Sequence, residues 1–499
     1  MAPRRVLFLT NSDYGQSNVV LATAHAMLQD APEVEVHIAS QIGLEKSILQ
    51  LNAPNEPTPI FHLINGLTHS KAVMRPHNPG SKTYNLPPGF LNTTRSLRGL
   101  VSIMHPWLPT EWTDIYRDIQ RIYEEVQPDV TVIDAMLSPA LSFDRHASIN
   151  WVSLVPNVLK DFALPMQPRL QVLWKYPIFC SGIPFPIPWY LVPLNIWYNL
   201  VVGFAIFTEK ISGRIQAAID EELGPDIKIM TMYDMGLTSA PEEGLKILVS
   251  NSRDIDFPLE IIPKYTIPCG PILRSAAPIA TVDSELATWL HRRPTILVNL
   301  GTHMHYTLEK ARELAYAFRI FLGRVTASGR GVEYQILWKM PRLLTEEDDP
   351  DNTKFTGRWL EFTEILGSEI EKDHARILHW LTAEPKSIME SGDIVCSVSH
   401  GGANSFHEAL CAAVPQVALP GWADCYDYAC RAELNGVGKW ANKKAKGAWE
   451  RNEVAESLEE VIIGPKAAEY QQTAKAVAKR HPENEGRGRA AREILALGK

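Results

Sequence analysis

The segment 398–410 combines two glycines with side chains that can bind oxygen. An apolar run ends at Ser397, Gly401 and Gly402 follow it, and a helical pattern begins near Asn404. Glycines let a ligand approach the backbone closely. The first amide groups of a helix lack intrahelical partners and lie at the positive end of its dipole. This order of strand, glycine turn and helix predicts a binding site for a phosphate or diphosphate.

Four side chains around this turn add to the prediction. His400 supplies a donor at the turn itself, and Asn404 and Ser405 can cap the helix or bind a phosphate oxygen. Glu408, one turn into the helix, can accept hydrogen bonds from two hydroxyls, as a ribose requires. Taken alone, the segment fits either a diphosphate cradle or a simple helix cap, so the surrounding sequence decides between them.

The flanking sequence extends this segment into a longer pattern. Trp380 precedes the turn, and Pro420-Gly421-Trp422-Ala423-Asp424-Cys425 follows its helix. With these residues the chain resembles the family-one UDP-dependent glycosyltransferases, whose C-terminal signature runs from a tryptophan to an acidic residue followed by Gln. The matching positions, with a small length difference before His400, are Trp380, His400, Gly402, Asn404, Ser405, Glu408, Pro415, Pro420 and Asp424. The similarity extends weakly over the whole chain, and Trp422–Glu433 is most similar to the fungal branch.

The resemblance assigns roles in binding a UDP-sugar. Trp380 would stack on uracil, and Asp424 would bind the hydroxyls of the sugar. Trp338 is a weaker candidate, because an aromatic residue at a strand end also fits a core position. The diphosphate and ribose would be held by His400, Gly402, Asn404, Ser405 and Glu408, with Gly301 and Thr302 facing the diphosphate from the other side.

Cys425 departs from the family pattern. It stands where the family usually has Gln, and a thiol is a poor hydrogen-bond donor. Sugar selection through this position is therefore open, whereas the diphosphate cradle is unaffected.

The acceptor side departs from the family at its catalytic base. Inverting members use a His in a Gly-His turn after the first strand, paired with an Asp from a later strand. Here Gln16 occupies the His position, whereas Asp134 keeps the Asp position. Three alternatives follow: Asp134 or Asp13 acts as the base, the acceptor is already acidic, or the protein binds without catalysing.

Short apolar runs alternate with helical patterns along both halves of the chain, which predicts an α/β fold with parallel sheets. The resemblance implies two Rossmann-like domains facing across a cleft, the GT-B arrangement. The predicted organisation is an acceptor-binding domain at 1–270, a linker at 271–284, a UDP-sugar-binding domain at 285–464, and a C-terminal helix at 465–499 returning to the first domain.

Composition narrows the class of protein. The net charge of −8 gives no electrostatic footprint for nucleic acid. The six cysteines show no metal-ligand spacing, so no metal site is predicted. Val6–Thr10 fits a buried strand better than the apolar core of a signal peptide, and a cytoplasmic location is expected.

The segment 176–208 contains no charged residue. Prolines break its first half, and only Leu194–Phe207 can form an uninterrupted apolar helix, whereas a membrane span needs about 20 residues. Two interpretations remain: a buried core helix, or the wall of a hydrophobic acceptor pocket that contacts the membrane peripherally.

Together these features predict an inverting transfer of a hexose, glucose in the first instance, from a UDP-sugar to a hydroxyl, phenol or carboxyl of a hydrophobic small molecule. The UDP-sugar is a co-substrate, and no other cofactor is expected. The alternative is a non-catalytic nucleotide-sugar-binding protein that has lost its base, for which Gln16 is the main support. An epimerase acting on UDP-N-acetylglucosamine is disfavoured by the segment from Trp380 to Asp424.

Overall fold

The structure is a computed structural model with two compact units. Unit 1 comprises Met1–Leu86, Phe90–Ser275 and Glu483–Lys499, and unit 2 comprises Pro87–Gly89 and Ala276–Pro482. The division after Ser275 lies inside the segment 271–284. The residues described are 4–51, 57–83, 86–238, 241–302, 304–346, 348–349 and 355–497.

Unit 1 is built on a sheet of seven parallel strands. The strand order is β3-β2-β1-β4-β5-β6-β7, so the direction of winding reverses between β1 and β4. The central strands are buried along nearly their whole length, as expected when helices cover both faces of a parallel sheet. The strands are β1 Arg4–Leu9, β2 Val34–Ser40, β3 Ile60–Leu63, β4 Val130–Ile133, β5 Trp151–Val155, β6 Ile247–Val249 and β7 Thr266–Pro268.

Helices surround this sheet, and several short ones follow β5. The helices of the described part of unit 1, apart from the C-terminal one, are α1 Tyr14–Asp30, α2 Glu45–Leu49, α3 His69–Val73, α4 Pro79–Thr83, α5 Phe90–Met104, α6 Pro109–Val126, α7 Ser138–Ala147, α8 Lys160–Ala163, α9 Gln171–Trp174, α10 Val192–Thr208 and α11 Ile211–Glu222.

Unit 2 repeats the plan with a sheet of six parallel strands. Its order is β10-β9-β8-β11-β12-β13, and the winding reverses between β8 and β11. The strands are β8 Thr295–Asn299, β9 Gln335–Lys339, β10 Ala375–Leu378, β11 Ile394–Ser399, β12 Gln416–Ala418 and β13 Gly438–Trp440. The helices of its described part are α12 Ile279–Val282, α13 Ser284–Leu290, α14 Leu308–Ala327, α15 Leu360–Ile365, α16 Gly367–Glu371, α17 Pro385–Met389, α18 Ala403–Cys411, α19 Cys425–Leu434, α20 Arg451–Ile462 and α21 Ala467–Arg480. These two sheets confirm the prediction of two parallel-sheet α/β domains.

The C-terminal segment differs from the single helix that the sequence predicts. The helical pattern is interrupted at Pro482: α21 packs against α18 in unit 2, whereas α22, Glu485–Leu497, packs against α1 in unit 1. Close packing joins α22 to the end of the first unit, because a Cβ on Gly486 would lie 2.0 Å from the carbonyl oxygen of Pro271. Only glycine fits there, and the final helix belongs to the first sheet.

Asp144 on α7 is a buried carboxylate without a compensating contact. Neither of its carboxylate oxygens has a hydrogen-bond partner among the described residues, and the side chain is inaccessible to solvent. Burial raises the pKa of Asp144 well above its usual range. The folded state therefore holds a proton on Asp144 that the unfolded chain releases above about pH 4.

We expect Asp144→Asn to make the unfolding free energy less dependent on pH. The raised pKa means that the stability of the wild type decreases as pH rises from the unfolded-state pKa through the folded-state pKa. Asn carries no charge to bury. The unfolding free energy of the variant minus that of the wild type should therefore increase by at least about 1 kcal/mol from pH 5 to pH 8. Urea unfolding at both pH values measures this gain. Asp114→Asn, at a side chain that is 74% exposed, is the matched control. An equal difference at both pH values would contradict the prediction.

Candidate functional site

The first candidate site lies where the winding of the second sheet reverses. Ser399, at the end of β11, pairs with Asn299, at the end of β8, so the loops after the two strands begin side by side. Asn299 also pairs with Lys339 at the end of β9. Ligands of parallel α/β sheets bind outside the carboxyl ends of the strands at such a point. The residues 299–302 and 399–405 therefore form one candidate site.

Three glycines shape this site, two of them around the ring of His400. A Cβ on Gly301 would lie 2.7 Å from Cε1 of His400, and a Cβ on Gly402 would lie 2.4 Å from its Nε2. Gly401 adopts φ +75°, and a Cβ there would lie 2.9 Å from the carbonyl oxygen of Cys425. A side chain at any of the three positions would displace either the imidazole or the backbone. The glycines predicted for the turn are thus required by its packing.

The helix after the turn presents its predicted ligand side chains on one side. Asn404, Ser405 and Glu408 are partly accessible, whereas Phe406 and His407 are buried in unit 2. The N-cap of α18 is Gly402, which has no side chain to occupy the first amides of the helix. This arrangement fits an anion-binding helix terminus better than a helix closed by its own cap.

Trp380 follows β10, whose partner strand ends at Lys339, and this tryptophan is 53% exposed. The Lys339 ammonium lies 3.5 Å from the centroid of this ring and donates a hydrogen bond to the carbonyl oxygen of Gly301 at 3.2 Å. Burial lowers the pKa of Lys339 to about 8. The ammonium of Lys339 therefore lies between the ring of Trp380, which is predicted to stack on uracil, and the loop at Gly301, which is predicted to face the diphosphate.

The remaining donor-site predictions divide into accessible and buried residues. Thr302 is exposed beside Gly301, and Asp424 is partly buried, where burial raises the pKa of its carboxyl to about 6. Cys425 is buried at the start of α19. Trp338 is also fully buried, and its indole donates to the hydroxyl of Tyr306 at 3.0 Å. The structure therefore assigns Trp338 to the core, because it faces the aromatic cluster under β9, and its prediction as a ligand residue is wrong.

The second candidate site lies at the reversal point of the first sheet. Asp134 follows β4, and Asn11 follows the adjacent β1. Oδ2 of Asp134 accepts from the Asn11 amide at 2.5 Å, from the Asn11 backbone N–H at 3.3 Å and from the hydroxyl of Thr10 at 3.3 Å. Its Oδ1 accepts from the backbone of Met136 at 2.9 Å. Burial raises the pKa of Asp134 to about 6 despite these bonds.

Asp13 is more accessible and is held by a different element. Its carboxylate accepts from the Ser70 hydroxyl at 2.6 Å and from the Ser70 backbone N–H at 2.9 Å. Nδ1 of the buried His69 lies 3.9 Å from Oδ2 of Asp13, and burial lowers the pKa of this histidine. Gln16 lies in the first turn of α1, whose N-cap is Asp13, and its Oε1 is buried without a hydrogen-bond partner among the described residues. Asp13, Gln16 and Asp134 thus belong to one strand-end region, although Asp134 bonds to Asn11 rather than to Gln16.

Comparison with known proteins identifies the family of this chain. The "Glycosyltransferase sdnJ" of Sordaria araneosa is 34% identical over 462 residues, which cover 88% of this chain and 84% of that protein. The chain belongs to the UDP-glycosyltransferase family. The family model described as UDP-glucoronosyl and UDP-glucosyl transferase matches residues 362–482. The "UDP-glycosyltransferase stmC" of Aspergillus ustus is 27% identical over 68% of this chain and 59% of its own length.

Solved structures give the same fold for this glycosyltransferase. The glycotransferase of kitacinnamycin superposes with a TM-score of 0.62 at 13% identity, covering all of both chains. The UGT2 of Phytolacca americana, complexed with UDP-2fluoro-glucose and pterostilbene, has a TM-score of 0.60 at 13% identity over 99% of this chain and 98% of that one. These similarities confirm the GT-B fold class.

Sequence reasoning missed two polar residues of the glycosyltransferase. Lys339 ends the buried strand β9 beside the donor loops, and a charge in that position could have indicated a ligand contact. Asn11 replaces the expected histidine as the partner of Asp134, and nothing in its sequence context signals this. No cluster of three or more metal-ligating side chains occurs within the described ranges.

We expect Lys339→Met to weaken UDP binding by about tenfold or more, since a charge-assisted hydrogen bond to the diphosphate would be lost. A diphosphate favours the charged lysine, whose pKa is about 8 in the structure. Wild-type affinity should therefore decrease as pH rises above 8, whereas Lys339→Arg should bind UDP at pH 7 and lose this dependence. Titration calorimetry at pH 7 and pH 9 measures both effects. Wild-type affinity for UDP in the methionine variant would contradict the assignment.

Proposed function

We propose that this UDP-glycosyltransferase transfers a hexose, glucose in the first instance, to a hydroxyl, phenol or carboxyl of a hydrophobic small molecule, with inversion at the anomeric carbon. The observation that carries the proposal is the turn at 400–402, where glycine packing opens the N-terminus of α18 beside the accessible Glu408. A helix terminus, a nearby ammonium and a carboxylate complement the diphosphate and ribose of a nucleotide sugar.

Selection of the sugar falls to Asp424 in this proposal. Asp424 is partly accessible just before α19, whereas Cys425 is buried. In this proposal Cys425 packs in the protein interior, and Asp424 binds the hydroxyls of the sugar. Glucose is supported by relatives such as the "Gallate 1-beta-glucosyltransferase" of Quercus robur, 26% identical over 44% of this chain and 41% of that protein.

Asp13 is the better candidate for the base. Asp134 is 1% exposed, and four hydrogen bonds occupy its carboxylate, so an acceptor cannot reach it without rearrangement. The Asp13 side chain is 18% exposed, and its backbone N–H donates to the Asn11 oxygen at 2.8 Å. Asp134 therefore fixes Asn11, and Asn11 fixes the turn that carries Asp13. We assign Asp134 a positioning role and Asp13 the proton-accepting role.

The proposed step is a single displacement. The acceptor oxygen gives its proton to the Asp13 carboxylate and bonds to the anomeric carbon, while the bond from that carbon to the phosphate oxygen breaks and UDP leaves. Attack opposite the leaving group inverts the configuration. An acceptor carboxylate is already ionised at neutral pH and needs no base. The two acceptor classes should therefore respond differently to loss of Asp13.

The hydrophobic acceptor and a cytoplasmic location are also part of the proposal. The uncharged segment 176–208 supports an apolar acceptor. All six cysteines are free thiols, as expected in a reducing compartment.

The test is incubation with UDP-glucose and a panel of alcohols, phenols and carboxylic acids, with UDP release monitored. Wild-type protein should turn over part of the panel. Asp13→Asn should lower kcat for alcohols by about 10²- to 10⁴-fold, with little change for carboxylic acids. Asp134→Asn should lower kcat less and leave the pH profile of the rate unchanged, as expected of a positioning residue.

Three results would contradict parts of this proposal. Full activity of Asp13→Asn on alcohols would remove that residue from the mechanism. A larger loss in Asp134→Asn, with a shifted pH profile, would make Asp134 the base. Binding of UDP-glucose without turnover of any acceptor would favour the non-catalytic alternative, which Gln16 at the position of the family's histidine supports.

A further inference from the structure

Helix α10 carries a stripe of apolar side chains that the protein does not cover. The stripe consists of Pro193, Trp197, Leu200, Phe204 and Phe207, which recur at helical spacing and therefore share one face. Leu200 is 62% exposed, Phe204 64% and Phe207 85%. We call these five residues the apolar stripe. Isolated exposed apolar residues are ordinary, but a contiguous row of this kind indicates a contact surface.

The opposite face of α10 is firmly held, so the stripe is a fixed feature of unit 1. Asn195 is fully buried, accepts from the backbone of Ile178 and donates to the carbonyl oxygens of Leu173 and Tyr176. Tyr198, the next turn along this face, is buried with it. The helix packs on α5 and α9 through this side. The apolar stripe thus lies on the outer side of an anchored helix.

Neighbouring elements extend the apolar stripe with aromatic residues. Phe90, at the start of α5, stacks on Trp197 with ring centroids 6.0 Å apart, and Leu91 beside it is also exposed. Trp189 and Tyr190, in the short turn before α10, are 84% and 62% exposed. Tryptophan and tyrosine are the residues enriched where proteins meet the headgroup region of a bilayer.

Four exposed cations lie on α5 and just after α10, beyond its C-cap Glu209. No charged residue occurs from Tyr176 to Thr208. On α5, Arg95 and Arg98 are exposed one and two turns after Leu91 on the same face. Lys210 and Arg214 are exposed just after α10. None of these four cations forms an ion pair with a described residue. Such flanking cations favour an anionic membrane surface.

The geometry favours a helix that lies on the membrane. Trp189–Glu222 is the one stretch within the described residues that is long and apolar enough to cross a bilayer by length and composition. However, the backbone is extended at Glu209, which separates α10 from α11. At 17 residues α10 is shorter than the roughly 20 that a span needs. One of its faces is also packed against α5 and α9, which suits an interfacial helix.

We propose that the apolar stripe, with Trp189, Tyr190, Phe90 and Leu91, docks unit 1 on an anionic phospholipid bilayer. The aromatic and aliphatic side chains enter the interface, and Arg95, Arg98, Lys210 and Arg214 contact lipid phosphates. A second copy of the chain is a less suitable occupant, since a symmetric contact would bring the cations of two copies together. Docking is independent of the proposed function, whereas uptake of a lipophilic acceptor from the bilayer rests on it.

Flotation of the full-length protein with vesicles tests the proposal. Wild-type protein should float with vesicles of phosphatidylcholine and phosphatidylserine, and less with phosphatidylcholine alone. Phe204→Ser combined with Phe207→Ser should reduce the bound fraction on the order of tenfold or more, because two large apolar groups no longer enter the interface. Val282→Ser combined with Ile370→Ser, at exposed residues of unit 2, is the matched control and should float like the wild type. Arg95→Gln combined with Arg98→Gln should weaken binding to the anionic vesicles only.

Two outcomes would overturn the proposal. The first is that the wild-type protein floats with neither kind of vesicle. The second is a wild-type dimer, seen by light scattering after gel filtration, that the Phe204 and Phe207 double variant abolishes, because the stripe would then contact a second copy. Thermal unfolding and UDP affinity of each variant show that the fold and the donor site persist. Lack of turnover with normal flotation would contradict the proposed function alone.

Discussion

The donor site depends on the close approach of two strand-end loops around one imidazole. Gly301 and Gly402 leave the space that the His400 ring fills, and Gly401 brings the turn against the backbone of Cys425. A side chain at any of these glycines would push the loops apart or move the ring. The orientation of α18, and with it the direction of its first amides and of Glu408, follows from this packing. In the proposed function, a diphosphate that binds there would require little reorganisation of the protein.

Much of the fold and of this site could be predicted from the sequence, because both depend on local patterns. Apolar runs alternating with helical periodicity predicted two parallel sheets, and the sequence 398–410 predicted the glycine turn between a strand and a helix. The sequence does not predict side-chain directions that depend on tertiary packing. Trp338 and Cys425 occupy positions next to the site, yet the pleat of β9 and the start of α19 turn both inwards. Strand periodicity alone does not predict that the side chain of Lys339 points towards Trp380 and Gly301.

The first sheet shows how one family feature can be lost while its framework persists. In this chain an asparagine amide, rather than an imidazole, satisfies the buried Asp134. The bond from Asn11 to the backbone of Asp13 continues this chain of contacts into the turn. Burial of a carboxylate without such a partner is unfavourable for its charged form. Asp144 on α7 has no such partner within the described part of the chain, and burial raises its pKa well above the usual range. The Asp at the strand end therefore has a structural reason to be present whether or not it takes part in chemistry.

The placement of α22 determines the order in which the two units can be completed during synthesis. Ala490, Ala491 and Ile494 belong to the same hydrophobic core as Val6 and other residues of the first strands. These residues are synthesised after every strand of unit 2, because α22 follows β13 in the chain. The second sheet can therefore form while the first still lacks one of its covering helices. The first unit therefore receives this helix only after the second unit has been synthesised.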